Sequence, residues 1–137
     1  MLLFLALLYT DLRFHKIMDY KYINSEYLDS VSGGDNETFF EIVAIFREQV
    51  AEFHNDMISL LSMKDYYNLG LLAHKAKSSV AIMGMSDLAA MLKTFELQAK
   101  EGKEAEKYES YVSKFRNDTS EALKELDDLI SNMQKKG

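Results

Sequence analysis

The feature that most constrains the fold is the complete absence of proline from 137 residues. Proline interrupts helices, so a chain without it can form long helical segments. The six glycines fall mostly where a helix would have to end, and Ala, Leu, Met, Glu and Lys dominate the segments between them. These five residue types are strong helix formers. The sequence therefore predicts an all-α protein, and its length predicts one domain around one core.

Apolar residues recur at spacings of three and four along several segments, which is typical of helices with one core-facing side. The connections between these segments are short, which favours antiparallel neighbours. We therefore predict an up-down-up-down four-helix bundle with a short extra N-terminal helix laid across one end. The predicted helices are Asn24–Val31, Glu37–Met63, Asp65–Met83, Ser86–Gly102 and Glu104–Met133.

The chain begins with an unbroken apolar run, Met1–Tyr9, which charged residues follow. The run is shorter than the ~20 residues that span a bilayer, and it lacks the basic start and the cleavage site of a signal peptide. Three interpretations stay open: an amphipathic helix packed on the domain or on a second copy, an upstream extension with Met18 as the natural start, and membrane targeting. We divide the chain into an apolar extension, 1–20, and a bundle domain, 21–134.

Composition excludes several classes of function. The formal net charge of −6 does not suit a nucleic-acid partner. No cysteine is present, which excludes disulfides, cysteine-based zinc sites and thiol catalysis, and fits a reducing, cytoplasmic compartment. The sequence contains neither a P-loop nor a GxGxxG motif. We therefore expect no cofactor, no bound metal and no nucleotide-dependent chemistry.

The candidate functional face surrounds His74 on the predicted helix Asp65–Met83. The apolar residues of this helix fall mostly on the opposite side, so His74 is predicted to point towards solvent. Small residues lie above and below it, Gly70 on one side and Ser78 and Ala81 on the other, which leaves the imidazole open to a second macromolecule. At about 100° per residue, Tyr67, Gly70, Ser78 and Ala81 fall within about 40° of His74, and Lys77 falls within about 60°.

Histidine in such a position can act as a nucleophile, because the neutral imidazole has a nitrogen lone pair over much of the physiological pH range. It could attack a phosphoryl group and form a covalent intermediate. Lys77 would neutralise phosphoryl oxygens, and the hydroxyls of Ser78 and Ser79 would donate hydrogen bonds to them. A histidine and a lysine three residues apart are also common on an ordinary solvated helix face, and this alternative stands beside the functional one.

The run HKAKSS at 74–79, with Gly84 ten residues after the histidine and Leu88 four after that, resembles the signature of histidine-containing phosphotransfer (HPt) domains. The family pattern is H-x-L-K-G-S/A followed by a glycine and a leucine. The order of helices over about 23–130 is also similar to the family. Two positions depart from the pattern: Ala76 replaces the usual leucine, and Ser78 replaces a glycine that leaves room for the aspartate loop of a receiver domain.

The resemblance implies a histidine phosphotransfer protein of a multistep two-component phosphorelay, with His74 as the phosphoacceptor. Lys77 would steady the phosphoryl group together with Ser78 and Ser79, and Gly84 would end the active helix. Such domains are phosphocarriers without ATP-dependent kinase activity. The implied partners are response-regulator receiver domains and hybrid sensor kinases, and magnesium would be held by the receiver domain.

A receiver-docking surface is expected around His74. Its residues would be Tyr67, Gly70, Leu71 and Ala81, with exposed apolar residues of the first helix and of the start of the long helix. The alternative function is a phosphorylation-independent helical interaction module, which Ser78 in place of glycine keeps open. We expect no membrane partner and a monomer, with a dimer joined through the N-terminal extension as the alternative.

Overall fold

The computed structural model of the protein describes residues 20–135, which form an all-helical bundle. The short helix α1 comes first, and four longer helices follow it. The last of these is preceded by a single 3-10 turn at Ala105–Lys107. The α-helices are α1 (Ser25–Ser32), α2 (Asn36–Ser62), α3 (Tyr66–Ile82), α4 (Ser86–Glu101) and α5 (Tyr108–Lys135).

Polar residues at the helix starts explain why the first three helices begin where they do. Asn24, Asp35 and Asp65 each accept a hydrogen bond from the backbone N–H three residues on, which satisfies a donor that the helix itself leaves free. The first four helices agree with the predicted bounds within one residue at each end. Local capping and periodicity were therefore sufficient to locate them.

The final helix differs from its prediction at the N-terminal end. The predicted Glu104–Met133 helix begins as the 3-10 turn, because Glu104 has a left-handed φ of 61° that a continuous α-helix does not allow. Tyr108 then starts α5, and its buried hydroxyl lies 2.9 Å from the carbonyl oxygen of Gln98 and 2.5 Å from that of Lys103. This contact holds the connection between α4 and α5 against the bundle.

One apolar core runs through the bundle and draws side chains from every α-helix. Arg47 of α2 binds Asp127 of α5, and Ser79 of α3 binds Gln49 of α2. The predicted all-α bundle is confirmed, and the up-down-up-down order of the long helices stays a prediction. The largest fully buried side chains are Tyr108, Phe46, Phe95, Phe115, Leu28, Met57 and Leu69.

The turn between α3 and α4 ties α1 to the end of the bundle. Gly84, the predicted helix end, has a φ of +73°, and a Cβ added there would lie 2.5 Å from the Cβ of Asn24. The backbone N–H of Asn24 donates to the carbonyl of Met83 over 3.1 Å. A glycine is therefore required here both for its conformation and for the close approach of the chain before α1.

The three interpretations of the N-terminal run concern residues 1–19, which lie outside the described residues. Within residues 20–135, no helix is both long enough and apolar enough to cross a bilayer.

Candidate functional site

His74 lies on the exposed side of α3, at the middle of the helix, and 55% of its side chain is accessible to solvent. This exposure is the one predicted from the position of the apolar stripe. The imidazole is nevertheless not free on both sides. Its Nδ1 atom lies 2.9 Å from Oε1 of Glu96 on α4, so one ring nitrogen is engaged inside the site.

Glu96 is the buried centre of this site, with only 4% of its side chain exposed. Lys100 donates to its Oε2 from 3.0 Å, and the Nζ atom of Lys77 lies 3.6 Å from its Oε1. One carboxylate is therefore surrounded by two ammonium groups and one imidazole. A buried carboxylate needs such partners because the interior solvates it poorly.

The charged form of Glu96 is strongly favoured. Burial alone would raise the pKa of its carboxyl group, but the hydrogen bonds from His74 and Lys100 outweigh burial and lower the pKa from 4.5 to about 2. The group is ionised at neutral pH and acts only as an acceptor. In the neutral imidazole of His74, Nδ1 must then carry the proton, and Nε2 holds the lone pair.

The two serines after His74 face different ways. Ser78 lies one turn after His74 and is exposed, and its hydroxyl has no hydrogen-bond partner among residues 20–135. Ser79 is buried, and its hydroxyl donates to Oε1 of Gln49 on α2 over 2.9 Å. The interpretation of Ser79 as a phosphoryl-stabilising residue is thus corrected, because one helical residue rotates its side chain by about 100° away from Ser78.

The predicted docking surface is exposed except at one position. Tyr67, Leu71 and Ala81 are accessible to solvent on the same face of α3 as His74. Gly70 is buried instead, because its Cα side faces α4 at close range. The assignment of Gly70 to the docking surface is corrected accordingly.

Further apolar side chains are exposed on α3 and on the two helices before it. Ile82 ends α3, and Tyr27 and Val31 on α1 and Ile45 on α2 are also exposed. A groove of about 350 Å³ lies between α2 and α3, and Leu71 separates it from the face that carries His74. It is lined by Asp56, Ser59, Leu60, Asn68, Leu71, Leu72 and Lys75.

Sequence reasoning missed Glu96 and Lys100. A usable signal was present, because Glu96 follows Leu92 by four residues and precedes Ala99 by three, which places a carboxylate on the buried side of α4. A charge at a core-facing position has to find cations, but the pattern does not say which ones. No group of three or more His, Asp or Glu side chains within residues 20–135 is arranged to hold a metal ion.

Comparison with known proteins gives one family. The family model described as Hpt domain matches residues 41–136, which is most of the chain and includes His74, Glu96 and both lysines. No curated protein and no solved structure matches the chain significantly.

Proposed function

The chain belongs to the Hpt domain family, and on that premise we propose that its bundle, 21–134, carries a phosphoryl group on His74 between receiver domains of a two-component phosphorelay. The family supplies the class of reaction, a phosphocarrier step without kinase activity. The residue roles rest on the geometry around His74. Within that geometry, the observation that carries the proposal is the 2.9 Å contact between Nδ1 of His74 and the buried carboxylate of Glu96.

This contact makes Nε2 the nucleophile. Glu96 accepts the Nδ1 proton, so the lone pair is at Nε2, which has no hydrogen-bond partner among residues 20–135. The same contact fixes the plane of the ring on an otherwise exposed side chain. A histidine whose second ring nitrogen donates to a carboxylate is held in one tautomer and one orientation, which prepares the other nitrogen for attack.

The transfer step can be written with this chain's own atoms. The Nε2 lone pair of His74 attacks the phosphorus of a receiver's aspartyl phosphate, and the bond between phosphorus and the aspartyl oxygen breaks. The bonding electrons return to the receiver's carboxylate. The imidazole gains positive charge as the N–P bond forms, and the ionised Glu96 stabilises that charge through Nδ1–H. Transfer to the next receiver is the reverse of these changes.

Lys77 and Ser78 are placed to hold the phosphoryl oxygens. Lys77 is three residues after His74 and is only loosely paired with Glu96 at 3.6 Å, so its ammonium group can turn towards a dianion beside Nε2. Ser78 is four residues after His74 and offers an unengaged hydroxyl on the same face. The phosphoryl group would therefore lie between one ammonium group and one hydroxyl.

The surface that binds the partner would combine apolar and positively charged side chains. The exposed apolar side chains of Tyr67, Leu71 and Ile82 flank His74 along α3, and lysines lie beside it. Apolar contacts of this kind would bind a receiver domain, and the ammonium groups would complement its acidic phosphorylation site. The exposed side chains of α1 extend this surface past the α3–α4 turn.

The test is phosphoryl transfer from a panel of phosphorylated receiver domains to the purified protein, with mass spectrometry locating any acid-labile phosphate. The His74→Gln variant should lose all labelling, because the nucleophilic nitrogen is absent. Its free energy of unfolding should change by less than about 1 kcal/mol, since the position is exposed. Full labelling of His74→Gln would contradict the assignment of the phosphoacceptor.

Ser78 favours a second function, a phosphorylation-independent module that binds a receiver domain or another signalling protein. Its exposed side chain occupies the position where the family pattern has glycine, and it narrows the approach to His74. A binding module would bind its receiver equally well after His74→Gln. Measured binding without transfer, together with transfer restored by Ser78→Gly, would favour this function for the natural chain.

A further inference from the structure

Gly70 packs against the helix that supplies the carboxylate partner of His74. Gly70 lies one turn before His74 on α3 and is buried against α4. A Cβ built on it would lie 3.0 Å from the carbonyl oxygen of Glu96, 3.0 Å from the backbone nitrogen of Lys100 and 2.9 Å from Cγ of Lys100. Such distances are shorter than normal carbon contacts, so the hydrogen atom of Gly70 is what lets the two helices approach.

The backbone that Gly70 contacts is the part of α4 that carries the site's charges. Glu96 supplies the carboxylate at Nδ1 of His74, and Lys100 supplies the cation at the other carboxylate oxygen. Helical side chains lean towards the N-terminus of their own helix. The Glu96 side chain therefore leaves α4 next to the backbone atoms that Gly70 contacts, and its carboxylate reaches His74 and Lys77.

We propose that Gly70 is a positioning residue for phosphoryl transfer: its missing side chain sets the spacing of α3 and α4 at which Glu96 reaches Nδ1 of His74. This inference rests on the proposed function for its kinetic readout, but the contact between Glu96 and His74 can be measured without any transfer. Gly70 has no side chain that could take part in the transfer step itself. It acts through Glu96 and Lys100.

The contact between α3 and α4 at Gly70 leaves little room for a larger side chain. Two of the three close atoms belong to the α4 backbone, which cannot rotate away as a side chain end can. A methyl group at Gly70 must therefore push the two helices apart by a few tenths of an ångström. The contact from His74 is 2.9 Å and that from Lys77 is already 3.6 Å, so both are lengthened towards the range where hydrogen bonds weaken.

The first experiment is spectroscopic and uses the full chain. A long-range ¹H–¹⁵N spectrum of the imidazoles distinguishes a protonated ring nitrogen from an unprotonated one. In the natural protein at neutral pH, His74 should be protonated at Nδ1. In Gly70→Ala, part of the population should move to the Nε2-protonated form, as it should more completely in Glu96→Ala.

The second experiment is a double-mutant cycle on the rate of phosphoryl transfer. Gly70→Ala should slow transfer by about 5-fold, since small misplacements of catalytic groups have large kinetic effects. In the Glu96→Ala background the same substitution should change the rate by less than 2-fold, because the group it displaces is absent. Thr94→Ala is the matched control: it raises the helix propensity of α4 at an exposed position that does not face α3.

Each outcome decides the proposal. An unchanged imidazole spectrum in Gly70→Ala would overturn it even if no receiver transfers a phosphoryl group at all. Equal effects of Gly70→Ala with and without Glu96 would show that Gly70 acts on partner binding instead. Loss of the folded helical signal in Gly70→Ala would overturn it as well, because Gly70 would then serve the packing of the whole bundle.

Discussion

Two glutamates of this bundle each gather several donors, and they differ in what those donors are. Glu96 is buried between α3 and α4 and interacts with the side chains of His74, Lys77 and Lys100. Glu125 on α5 accepts hydrogen bonds from three consecutive backbone N–H groups, those of Lys21, Tyr22 and Ile23, at 2.8–3.0 Å. One carboxylate thus binds side chains, and the other accepts hydrogen bonds from the backbone.

Because their donors differ, the two glutamates should differ in whether they matter for function or for stability. Side-chain cations on flexible stems can turn to water when their carboxylate is removed, and more than half of the His74 side chain is already exposed. Backbone N–H groups cannot leave their positions without moving the chain, so they need a replacement partner. Glu96 should therefore matter most for the chemistry of His74, and Glu125 for attaching the segment before α1 to α5.

The largest expected effect is on phosphoryl transfer. Glu96→Ala should reduce the rate of transfer to His74 by about 10–100-fold, because it removes the group that fixes the ring and its protonation. Glu125→Ala, the matched control, should leave the rate within 2-fold. Rates from one phosphorylated receiver, measured at saturating and limiting concentrations, provide the comparison. A Glu96→Ala rate equal to that of the natural protein would end the distinction between the two glutamates.

The second expected effect is on stability, where Glu125 should matter more than Glu96. Glu125→Ala should lower the free energy of unfolding by about 2 kcal/mol, since three backbone donors lose a charged acceptor. Glu96→Ala should lower it less, by about 1 kcal/mol, because alanine also removes the cost of burying a charge and lets the cationic partners regain water. Urea unfolding followed by circular dichroism measures both. A larger loss of stability in Glu96→Ala than in Glu125→Ala would contradict the comparison.

The remaining expected effects appear at the two ends of the pH scale. The pKa of Glu96 is lowered to about 2 from 4.5, so its contribution to stability is present above about pH 4.5 and is lost as the pH falls towards 2. The difference in unfolding free energy between the natural protein and Glu96→Gln should therefore shrink over that interval. A constant difference between pH 6 and pH 3 would argue against a lowered pKa.

The Glu125 region should respond at alkaline pH instead. Tyr20 donates to Asp128 over 2.6 Å beside that site, and burial followed by this hydrogen bond raises the pKa of Tyr20 to about 12 from 10. Its contribution is present below about pH 10 and is lost as the pH rises towards 12. Tyr20→Phe should lack this alkaline component, and unfolding at pH 9 and 11 would test it.

The agreement between sequence and structure follows the range of the interactions involved. Asn24, Asp65 and Gly84 act within a few residues of themselves, so their caps and turn were read directly from the pattern. The exposure of His74 was also predictable, because it depends only on the side of α3 that carries the apolar residues. Gly70 was misplaced because a helical wheel gives the direction of a residue but does not say how close the next helix lies. Ser79 is about 140° from His74 on the same wheel, so periodicity alone places it on the buried side, and its assignment to the site came from the motif instead.

By itself, the sequence determined the first four helices, their ends and the side of α3 on which His74 lies, since these depend on periodicity and capping within one segment. The start of α5 was misplaced, because the left-handed Glu104 interrupts the helical pattern there. Only the tertiary structure decided that Glu96 meets the imidazole, because that contact joins residues 22 apart in the chain across a spacing set at Gly70. The distance and the axial register between two helices depend on side-chain packing, and the periodicity of one segment does not predict them.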